Sequence, residues 1–424
     1  MVGCIARLAA LVIGVALALV VAEAVLRRAP ALIPLPVFQS LPGGGRYLQP
    51  LVFDQPVELG FRYLPYQSVT FSFSPDDPTI LGERQAAQVA LRDGARTLRL
   101  RFQTDADGFL NRPDGQSSHA VVITGDSFLG LSAEEHWQDW LTKYTGSRAL
   151  NLAIPGWGPQ AEAAALRRFG LGEQPKELVL AFFEGNDLWD AWQYELHRVS
   201  GQSWIAHDLE GTTTIDQVVL PKLLRWYADQ FDRRWRGDGG KVYRYPLNAR
   251  ISGLNLALVF ADQHVARLTT PRADIEAAVN FKLTAAALRE ARDLAQAGGA
   301  RFTLAFLPSK ERVHLPLLRQ SPELVERALA GVFTVAIGPD GTLDATATPA
   351  DAETLFAHID DQANAMADFA RREDIAFLDL TPAFREAAAR GEPMFNYADT
   401  HWNAEGHKLA AKVLGEYLSG KAGP

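Results

Sequence analysis

The sequence predicts an α/β protein of three layers, in which a central parallel sheet lies between two layers of helices. Short, continuously apolar runs such as "AVVITG", "ELVLAFF" and "RFTLAFLP" are typical of strands that are buried on both faces. Segments with helical period, such as "DIEAAVNFKLTAAALREARDLAQAGG", separate these runs. Strands that alternate with helices along a chain form parallel sheets, because each crossover lays its helix on a face of the sheet.

Length and composition agree with a folded protein and exclude several classes of function. The 424 residues are 47% hydrophobic and 22% charged, as in globular domains. The formal net charge is −8, so we expect no nucleic-acid partner, because affinity for phosphate backbones comes from clustered Lys and Arg. The single cysteine, Cys4, allows neither an internal disulfide nor a cysteine-based metal site. Without a P-loop or a Rossmann glycine pattern, we expect no cofactor and no metal.

The first element, residues 1–28, is predicted to be a membrane anchor or a secretory signal. An apolar run from Leu8 to Ala22 is followed by Glu23 and a basic pair. The run approaches the length of about 20 apolar residues that a membrane span needs, which favours an uncleaved anchor. The alternative is a secretory signal, because the small residues on either side of Glu23 fit cleavage after Ala24.

The composition of the following segments changes from one to the next. Residues 29–50, rich in Pro and Gly, are predicted to be a linker. Residues 51–115 contain alternating runs such as "SVTFSFS" and "TLRLRFQT", and form a small β-rich cap or extra strands of the main domain. The α/β domain covers residues 116–420. Its strand–helix rhythm is interrupted at about 188–273 by an insertion, which we interpret as a lid or wall over the site.

Ser127 follows the first apolar run of the α/β domain, in "VVITGDSFLG". A serine on a turn between a strand and a helix lies at the carboxyl edge of the sheet, where ligands bind in open α/β folds. Its backbone amide is expected near a helix N-terminus, where a negatively charged oxygen is stabilised. Ser127 is therefore a candidate nucleophile. The alternative is a serine that only caps the helix.

A histidine and a carboxylate lie close together near the end of the chain, in "DTHWNAEGH". Neutral His401 can accept a hydroxyl proton, and Asp399 can fix its tautomer and stabilise the imidazolium that forms. Both precede a helix that is predicted to begin near Asn403, so both lie in a loop. A helix-capping aspartate beside a partly buried histidine is the alternative. His407 falls within that helix and is expected to pack or to lie at the surface.

Two further turns after strands offer hydrogen-bond donors. Gly156 in "NLAIPGWG" lets its N–H group approach a reacting oxygen without a side chain in the way. Asn186 in "FFEGNDLWD" supplies a side-chain amide. A Pro-Gly turn and an Asx turn are the alternatives. They do not explain why all these turns follow buried strands or lie in the closing loop, in the order Ser, Gly, Asn, Asp/His.

This ordered set resembles the four sequence blocks of the SGNH (GDSL-type) hydrolase family. The resemblance implies a flavodoxin-like SGNH fold, with Ser127 as nucleophile, His401 as base and Asp399 as its carboxylate. It implies Gly156 and Asn186 as donors of the oxyanion hole. The wider frame, from "ELGFRY" and "TDADGFLN" to "DTHWNAEGH", is similar to a membrane-anchored bacterial branch of this family that is linked to cell-envelope or exopolysaccharide functions.

Two positions depart from the usual blocks of the family. Glu184 stands where the third block usually has a glycine. Asp399 lies two residues before His401, whereas the usual position, three residues before, is Ala398. The shorter spacing resembles the Asp-x-His of alginate-acetyltransferase-like relatives.

The resemblance implies an ester hydrolase or an O-acyltransferase that forms an acyl-enzyme on its serine. Water as the second nucleophile makes an esterase, and a sugar hydroxyl makes a transferase. We expect an acetyl ester on cell-envelope or exported carbohydrate as the substrate. Such a substrate places the domain outside the cytoplasm, either periplasmic on a single-pass inner-membrane anchor or secreted after cleavage.

Two other functions remain open at this stage. A non-catalytic polysaccharide-binding or assembly protein would retain the same fold, and a lipid esterase would prefer longer acyl chains. Four tryptophans beside the motifs either stack on sugar rings or fill the core: Trp157, Trp189, Trp192 and Trp402. The sequence predicts neither a protein partner nor an oligomeric state.

Overall fold

The structure is a computed structural model of the chain. It describes residues 2–54, 58–81, 96–112, 118–130, 137–201, 209–236, 247–251, 254–334 and 348–421, with positions 85, 88, 89, 204, 206, 336, 337, 343 and 344 between them.

The central sheet has five strands, all parallel. The strands of the described residues are β1 (Leu51–Phe53), β2 (Phe61–Tyr63), β3 (Ser68–Phe73), β4 (Leu98–Gln103), β5 (Val121–Thr124), β6 (Ala149–Asn151), β7 (Glu177–Phe183), β8 (Leu247–Ile251), β9 (Leu254–Leu258), β10 (Arg301–Leu307), β11 (Ala336–Ile337), β12 (Leu343–Asp344) and β13 (Ala376–Asp379). The sheet order is β13-β10-β7-β5-β6, and each neighbouring pair is parallel. The α/β fold predicted from the apolar runs is confirmed.

Helices cover both faces of this sheet. The helices of the described residues are α1 (Val2–Arg28), α2 (Leu35–Gln39), α3 (Ser127–Gly130), α4 (Trp137–Thr145), α5 (Pro159–Ala165), α6 (Asp187–Ser200), α7 (Val219–Arg236), α8 (Asp262–Arg267), α9 (Arg272–Ala277), α10 (Val279–Ala297), α11 (Lys310–His314), α12 (Pro322–Leu329), α13 (Ala352–His358), α14 (Asp361–Arg372), α15 (Thr381–Ala389) and α16 (Ala404–Leu418). Residues of α5, α6, α10 and α14 form the core on one face, and residues of α4, α15 and α16 form the core on the other.

The central strand β7 shows why its sequence is continuously apolar. Successive side chains of a strand point to opposite faces, and both faces are covered here. Its alternate residues belong to the two cores: Leu178, Leu180 and Phe182 to one, and Val179, Ala181 and Phe183 to the other.

The β-rich N-terminal region consists of antiparallel pairs. The two alternating runs predicted as strands are confirmed as β3 and β4, which pair with Thr70 opposite Arg101. Strand β2 pairs with β1, and its Phe61 and Tyr63 join the core of the main domain. These strands therefore pack directly on the α/β domain.

Residues 29–50, for which the sequence predicts a linker, are folded and packed. Ile33, Val37 and Phe38 are almost wholly buried and form a cluster with residues of α1 and α7. The prolines and glycines prevent long regular elements, but the apolar residues between them still bury their surface. Gly43, Gly44 and Gly45 all have positive φ, which glycine adopts without steric cost. They turn the chain back toward the domain.

The stretch predicted as an insertion, about 188–273, contains helices in its described parts that pack against different parts of the molecule. Helix α6 packs against α5 and α10, within the layer of helices. Helix α7 packs against α1 and α2 instead. Residues 261–264 and Ala266 line a cavity beside His401.

Helix α1 is long and apolar. The most apolar 18 residues of Cys4–Arg28 have a mean hydropathy of 2.6, and none of them is buried. Its length and composition fit a membrane span, and they also fit a signal sequence.

Candidate active site

Ser127 lies where the sequence predicts, at the carboxyl end of β5 and at the first position of α3. The preceding Asp126 is buried, and its Oδ1 accepts a hydrogen bond of 2.9 Å from the backbone N–H of Phe128. This contact fixes the turn between strand and helix, because a capping carboxylate satisfies a free donor of the helix.

Ser127, His401 and Asp399 form a continuous chain of hydrogen bonds. The Oγ of Ser127 lies 2.7 Å from Nε2 of His401. The Nδ1 of His401 lies 2.8 Å from Oδ1 of Asp399, which also accepts the backbone N–H of His401 at 2.8 Å. This order lets the imidazole accept the hydroxyl proton while the carboxylate holds the opposite nitrogen protonated.

A buried lysine holds the loop that carries Asp399. Lys310 is 2% exposed, and its Nζ donates to the backbone oxygens of Asn396 at 2.9 Å, Tyr397 at 3.1 Å and Asp399 at 2.8 Å. All three protons of the ammonium are therefore used within one loop. The sequence reasoning did not identify Lys310. Its position directly after a buried strand, in "FLPSKER", is the only local sign.

Burial and the neighbouring charges have opposite effects on the pKa values of His401 and Asp399. Burial alone would lower the pKa of His401, but the Asp399 carboxylate outweighs it and raises that pKa above its usual value. Burial alone would raise the pKa of Asp399, but the charges and hydrogen bonds of His401, with the charge of Lys310, lower it. Burial lowers the pKa of Lys310 to about 8. Asp399 is therefore ionised at neutral pH.

Gly156 lies in the same cavity as Ser127 and His401. Its φ is +84°, a left-handed conformation that favours glycine. Among the described residues, the backbone N–H groups of Ser127 and Gly156 make no hydrogen bond within the chain. Two of the predicted donors are thus free to hold a negatively charged oxygen.

Asn186, the third predicted donor, is not brought into this cavity. Its Nδ2 donates to Oδ2 of Asp190 at 2.6 Å, and its side chain also contacts the Asp126 carboxylate. Residues four apart face each other on a helix, so the carboxylate of Asp190 accepts the side-chain N–H of Asn186 one turn before it. The last aspartate of "NDLWD", Asp190, is the feature of the sequence that indicates this contact.

Glu184, which stands where the family usually has a glycine, contacts Ser309 and Arg312 through its side chain. Its Oε1 accepts the backbone N–H of Ser309 at 2.6 Å, and its Oε2 lies 3.6 Å from Arg312. Burial raises the pKa of Glu184 to about 7, although the nearby Arg312 charge opposes the shift. The side chain joins the end of β7 to the start of α11.

The cavity over Ser127 has a volume of about 300 Å³. Much of its wall is apolar and comes from the N-terminal region: Leu35, Phe61, Tyr63, Leu98 and Leu100. Arg46 adds a charge, with its guanidinium 5.1 Å from the ring centre of Phe61 and close to Gly156. The sequence reasoning missed Arg46, because it lies in the segment interpreted as a linker.

A second cavity, of about 590 Å³, reaches His401 as well. It shares Gln39, Asp399 and His401 with the first cavity. Its other walls include His264, whose Nδ1 lies 3.2 Å from Oγ1 of Thr400 and 3.4 Å from the buried Glu311. His401 therefore borders two cavities, of which only the first is also lined by Ser127.

Two of the four tryptophans beside the motifs fill the core. Trp157 is 1% exposed, and its Nε1 donates to the backbone oxygen of Phe61 at 2.8 Å. Trp402 is 2% exposed and stacks on Phe384, with ring centres 5.1 Å apart. Trp189 and Trp192 are half-buried. His407 is buried in α16, where burial lowers its pKa to about 3, so it belongs to the packing.

Comparison with protein families gives one match. Residues 333–423 match the model of the SGNH hydrolase-like domain of the acetyltransferase AlgX. The matched segment includes Asp399 and His401. A search of curated protein sequences finds no match to this chain.

Solved structures with a similar arrangement are ester-cleaving enzymes and an α/β hydrolase. A catalytic variant of Axe2, an acetylxylan esterase from Geobacillus stearothermophilus, has 12% identity and a TM-score of 0.35, covering 71% of this chain and 94% of that one. The lipase/acylhydrolase from Enterococcus faecalis has 11% identity and a TM-score of 0.32, covering 72% and 97%. LAE5, an α/β hydrolase from the Lake Arreo metagenome, has 14% identity and a TM-score of 0.34, covering 72% and 96%.

The family match and the five-stranded parallel sheet agree with the order of motifs in the sequence. The resemblance of this chain to the SGNH hydrolase family, with an AlgX-like C-terminal segment, is confirmed.

Proposed function

We propose that this protein is a membrane-anchored serine enzyme that removes or transfers O-acetyl groups on cell-envelope or exported carbohydrate. The observation that carries the proposal is the hydrogen-bond chain from Ser127 through His401 to Asp399, with distances of 2.7 and 2.8 Å. The chain lies in a cavity that also contains Gly156. The acetylated carbohydrate is supported by the match to an acetyltransferase family.

In the proposed reaction, Ser127 Oγ attacks the carbonyl carbon of the acetyl ester while His401 Nε2 takes its proton. The carbonyl oxygen becomes negatively charged and accepts hydrogen bonds from the amides of Ser127 and Gly156. His401 then gives its proton to the departing sugar oxygen, which leaves an acetyl-serine. A second hydroxyl, from water or an acceptor sugar, loses its proton to His401 and takes the acetyl group, and His401 returns this proton to the departing Oγ of Ser127.

Transfer to a sugar is favoured by the second cavity. An acceptor alcohol must reach the acetyl-serine from a space that contacts the imidazole, because His401 has to remove its proton. The two cavities meet at His401 and Asp399, and Ser127 lines only the first, so an acceptor that enters through the second cavity has to pass His401 to reach the acetyl-serine. A hydrolase needs only a water molecule there.

The anchor is favoured over a cleaved signal by the contacts of Glu23. Its carboxylate accepts the backbone N–H groups of Val219 and Leu220 at the start of α7, at 2.9–3.1 Å. Cleavage after Ala24 would remove this cap. Helix caps of this kind contribute about 1 kcal/mol.

A non-catalytic carbohydrate-binding protein is the second candidate. The observation that favours it is the amide of Asn186, which is held by Asp190 at 2.6 Å and not presented to the cavity. Loss of one oxyanion donor costs about 10²–10³ in turnover. Two amides remain for the proposed reaction.

The test is turnover of p-nitrophenyl acetate by the full-length protein, together with labelling by a serine-directed phosphonate. We expect turnover and one label on Ser127, and loss of both in Ser127→Ala. His401→Ala should lower turnover by about 10³-fold or more. Addition of an unacetylated oligosaccharide acceptor should move acetyl groups to the sugar if the enzyme is a transferase.

His358→Ala is the matched control. His358 also lies 2.8 Å from a carboxylate, that of Asp361, but it is outside both cavities. This variant should keep the wild-type rate. A protein that neither turns over the ester nor takes the label on Ser127 is the binding protein of the second candidate.

A further inference from the structure

Helix α7 has three distinct faces along its length. Leu223, Trp226 and Gln230 face the protein: Leu223 is buried, and the other two donate to the Asp77 carboxylate. A second face, rotated by about 100°, is apolar and exposed. Its large residues are 55–78% exposed: Leu224, Tyr227, Phe231 and Trp235. A third face is charged and includes Arg225 and Asp229.

This exposed face is unusual for a soluble surface. Its four large side chains recur every three or four residues and so lie side by side along about three turns. Single exposed apolar residues are common on soluble proteins, but a continuous aromatic stripe marks an interaction site. Phe231 and Trp235 stack with their ring centres 5.6 Å apart.

The start of α7 is attached to the end of α1. The Glu23 carboxylate caps α7 at Val219 and Leu220, and Arg27 donates to the backbone oxygen of Gln217 at 2.8 Å. Leu26 of α1 packs in one cluster with Val219 and Leu223 of α7.

The position of this attachment along α1 places it at a membrane surface. The hydrocarbon core of a bilayer is about 30 Å thick, and 20 residues of helix span about that length. If α1 crosses the membrane from about Cys4, the span ends near Glu23. The residues that hold α7 therefore lie at the level of the lipid headgroups.

We infer that α7 lies in the membrane surface, with Leu224, Tyr227, Phe231 and Trp235 inserted between lipids. This inference rests on the proposed anchoring of α1. Tyr and Trp are enriched at this depth because their rings are apolar and their polar groups reach water. An amphipathic helix of this kind buries its apolar face by about 5–10 Å.

The charges of α7 fit an anionic lipid surface. The helix has five basic residues, namely Lys222, Arg225, Arg233, Arg234 and Arg236, and two acidic ones, Asp229 and Asp232. Basic residues near anionic lipid strengthen the attachment of a helix to the membrane surface. Two attachments, the span and the surface helix, hold the domain in one orientation above the bilayer.

The experiment uses the full chain in vesicles of phosphatidylcholine and phosphatidylglycerol that carry spin-labelled lipids. The chain has one cysteine, Cys4, so a Cys4→Ser background accepts a single fluorescent label elsewhere. Labels are placed through Phe231→Cys and Trp235→Cys on the apolar face. Asp229→Cys, on the charged face of the same helix, is the control, and thermal unfolding checks that each variant is folded.

Lipid quenching at positions 231 and 235, with a blue shift of emission and without quenching at 229, supports the inference. A label on the native Cys4 reports the span separately. If lipid quenches the label at Cys4 but the emission from positions 229, 231 and 235 is equal and unquenched, α7 does not lie in the membrane surface. This result overturns the inference about α7 and leaves the anchor intact. A third outcome is that labels at 231 and 235 are shielded from aqueous iodide but are not quenched by lipid. This result means that a second copy of the protein covers the apolar face, and it also overturns the inference. An unquenched label at Cys4 removes the anchor and this inference together.

Discussion

At the scale of single residues, the proposed reaction depends on the protonation of His401. A base must be neutral to accept a proton, and the pKa of His401 is raised above its usual 6.5, because the contacts of Asp399 outweigh the opposite effect of burial. The rate should therefore increase with pH through a midpoint above 6.5.

Asp399→Asn tests this assignment. Removal of the negative charge should lower the midpoint of the kcat/KM profile, because the imidazolium loses its stabilising partner. The maximal rate should decrease by about 10⁴-fold, since the amide also favours the wrong tautomer of the ring. Asp361→Asn, which alters the partner of His358, is the control. A midpoint that stays unchanged or moves upward in Asp399→Asn contradicts the role of this carboxylate.

Lys310 is a positioning residue that acts through the loop of Asp399. Burial lowers its pKa to about 8, and the neutral amine has only two protons for the three backbone oxygens it now contacts. The rate of the wild-type enzyme should therefore decrease again near pH 8.

In Lys310→Met this alkaline decrease should disappear, with a lower kcat and little change in KM. The free energy of unfolding should decrease by about 1–3 kcal/mol, because buried carbonyls lose their donor. Lys408→Met, at an exposed lysine paired with Glu405, is the control for both measurements. An alkaline decrease that persists in Lys310→Met rules out lysine as its origin.

At the scale of elements, α5 and α6 carry carboxyl groups that lie buried behind the candidate site. Glu162 of α5 is 0% exposed, and among the described residues neither of its side-chain oxygens has a hydrogen-bond partner. Burial, with the charges of Asp126 and Asp190, raises the pKa of Glu162 well above its usual value. Burial also raises the pKa of Asp190 to about 8.

These raised pKa values predict how stability depends on pH. A carboxyl group with a raised pKa in the folded state contributes stability below its unfolded pKa and loses it as pH rises through the folded pKa. The unfolding temperature should therefore decrease from pH 5 to pH 8. Glu162→Gln should reduce this decrease and raise the free energy of unfolding at pH 8 by about 1–2 kcal/mol. Glu405→Gln on the surface should not, and an unchanged slope in Glu162→Gln means that Glu162 is not the titrating group.

The elements also show what the sequence predicts well. The three central strands β5, β7 and β10 were predictable, because burial on both faces leaves a continuous apolar run that needs no knowledge of neighbours. The packing of residues 29–50 was not, since their Pro and Gly content is the same for an exposed linker and for a folded segment. Only the partner surfaces on α1 and α7 distinguish the two.

The residues of the candidate site also differ in whether the sequence alone predicts their positions. Ser127 and Gly156 follow strand ends, and parallel strands bring their carboxyl ends to one edge of the sheet. Arg46 and Lys310 reach the site through tertiary contacts that no local pattern encodes. The direction of the Asn186 amide depends on Asp190 one turn later, a local contact that was readable in the sequence.

At the scale of the whole molecule, distant parts of the chain meet at one edge of one sheet. The hydroxyl and the imidazole are separated by 274 residues in the sequence and by 2.7 Å in space. The N-terminal region supplies much of the cavity wall, and α1 and α7 attach the same domain to the membrane in our proposal. The wall of the cavity and the proposed membrane attachment therefore adjoin each other, since Leu35 lines the cavity and packs against the cluster of α1 and α7 residues.

The most direct measurement is peptide mass spectrometry of the full-length protein after exposure to an activated acetyl donor, quenched with acid before the ester is lost. We predict one acetyl group on Ser127, absent in Ser127→Ala and in His401→Ala, and retained in His358→Ala. An unmodified Ser127 in a folded protein, or equal acetylation of Ser127 with and without His401, would contradict the proposed nucleophile and its activation.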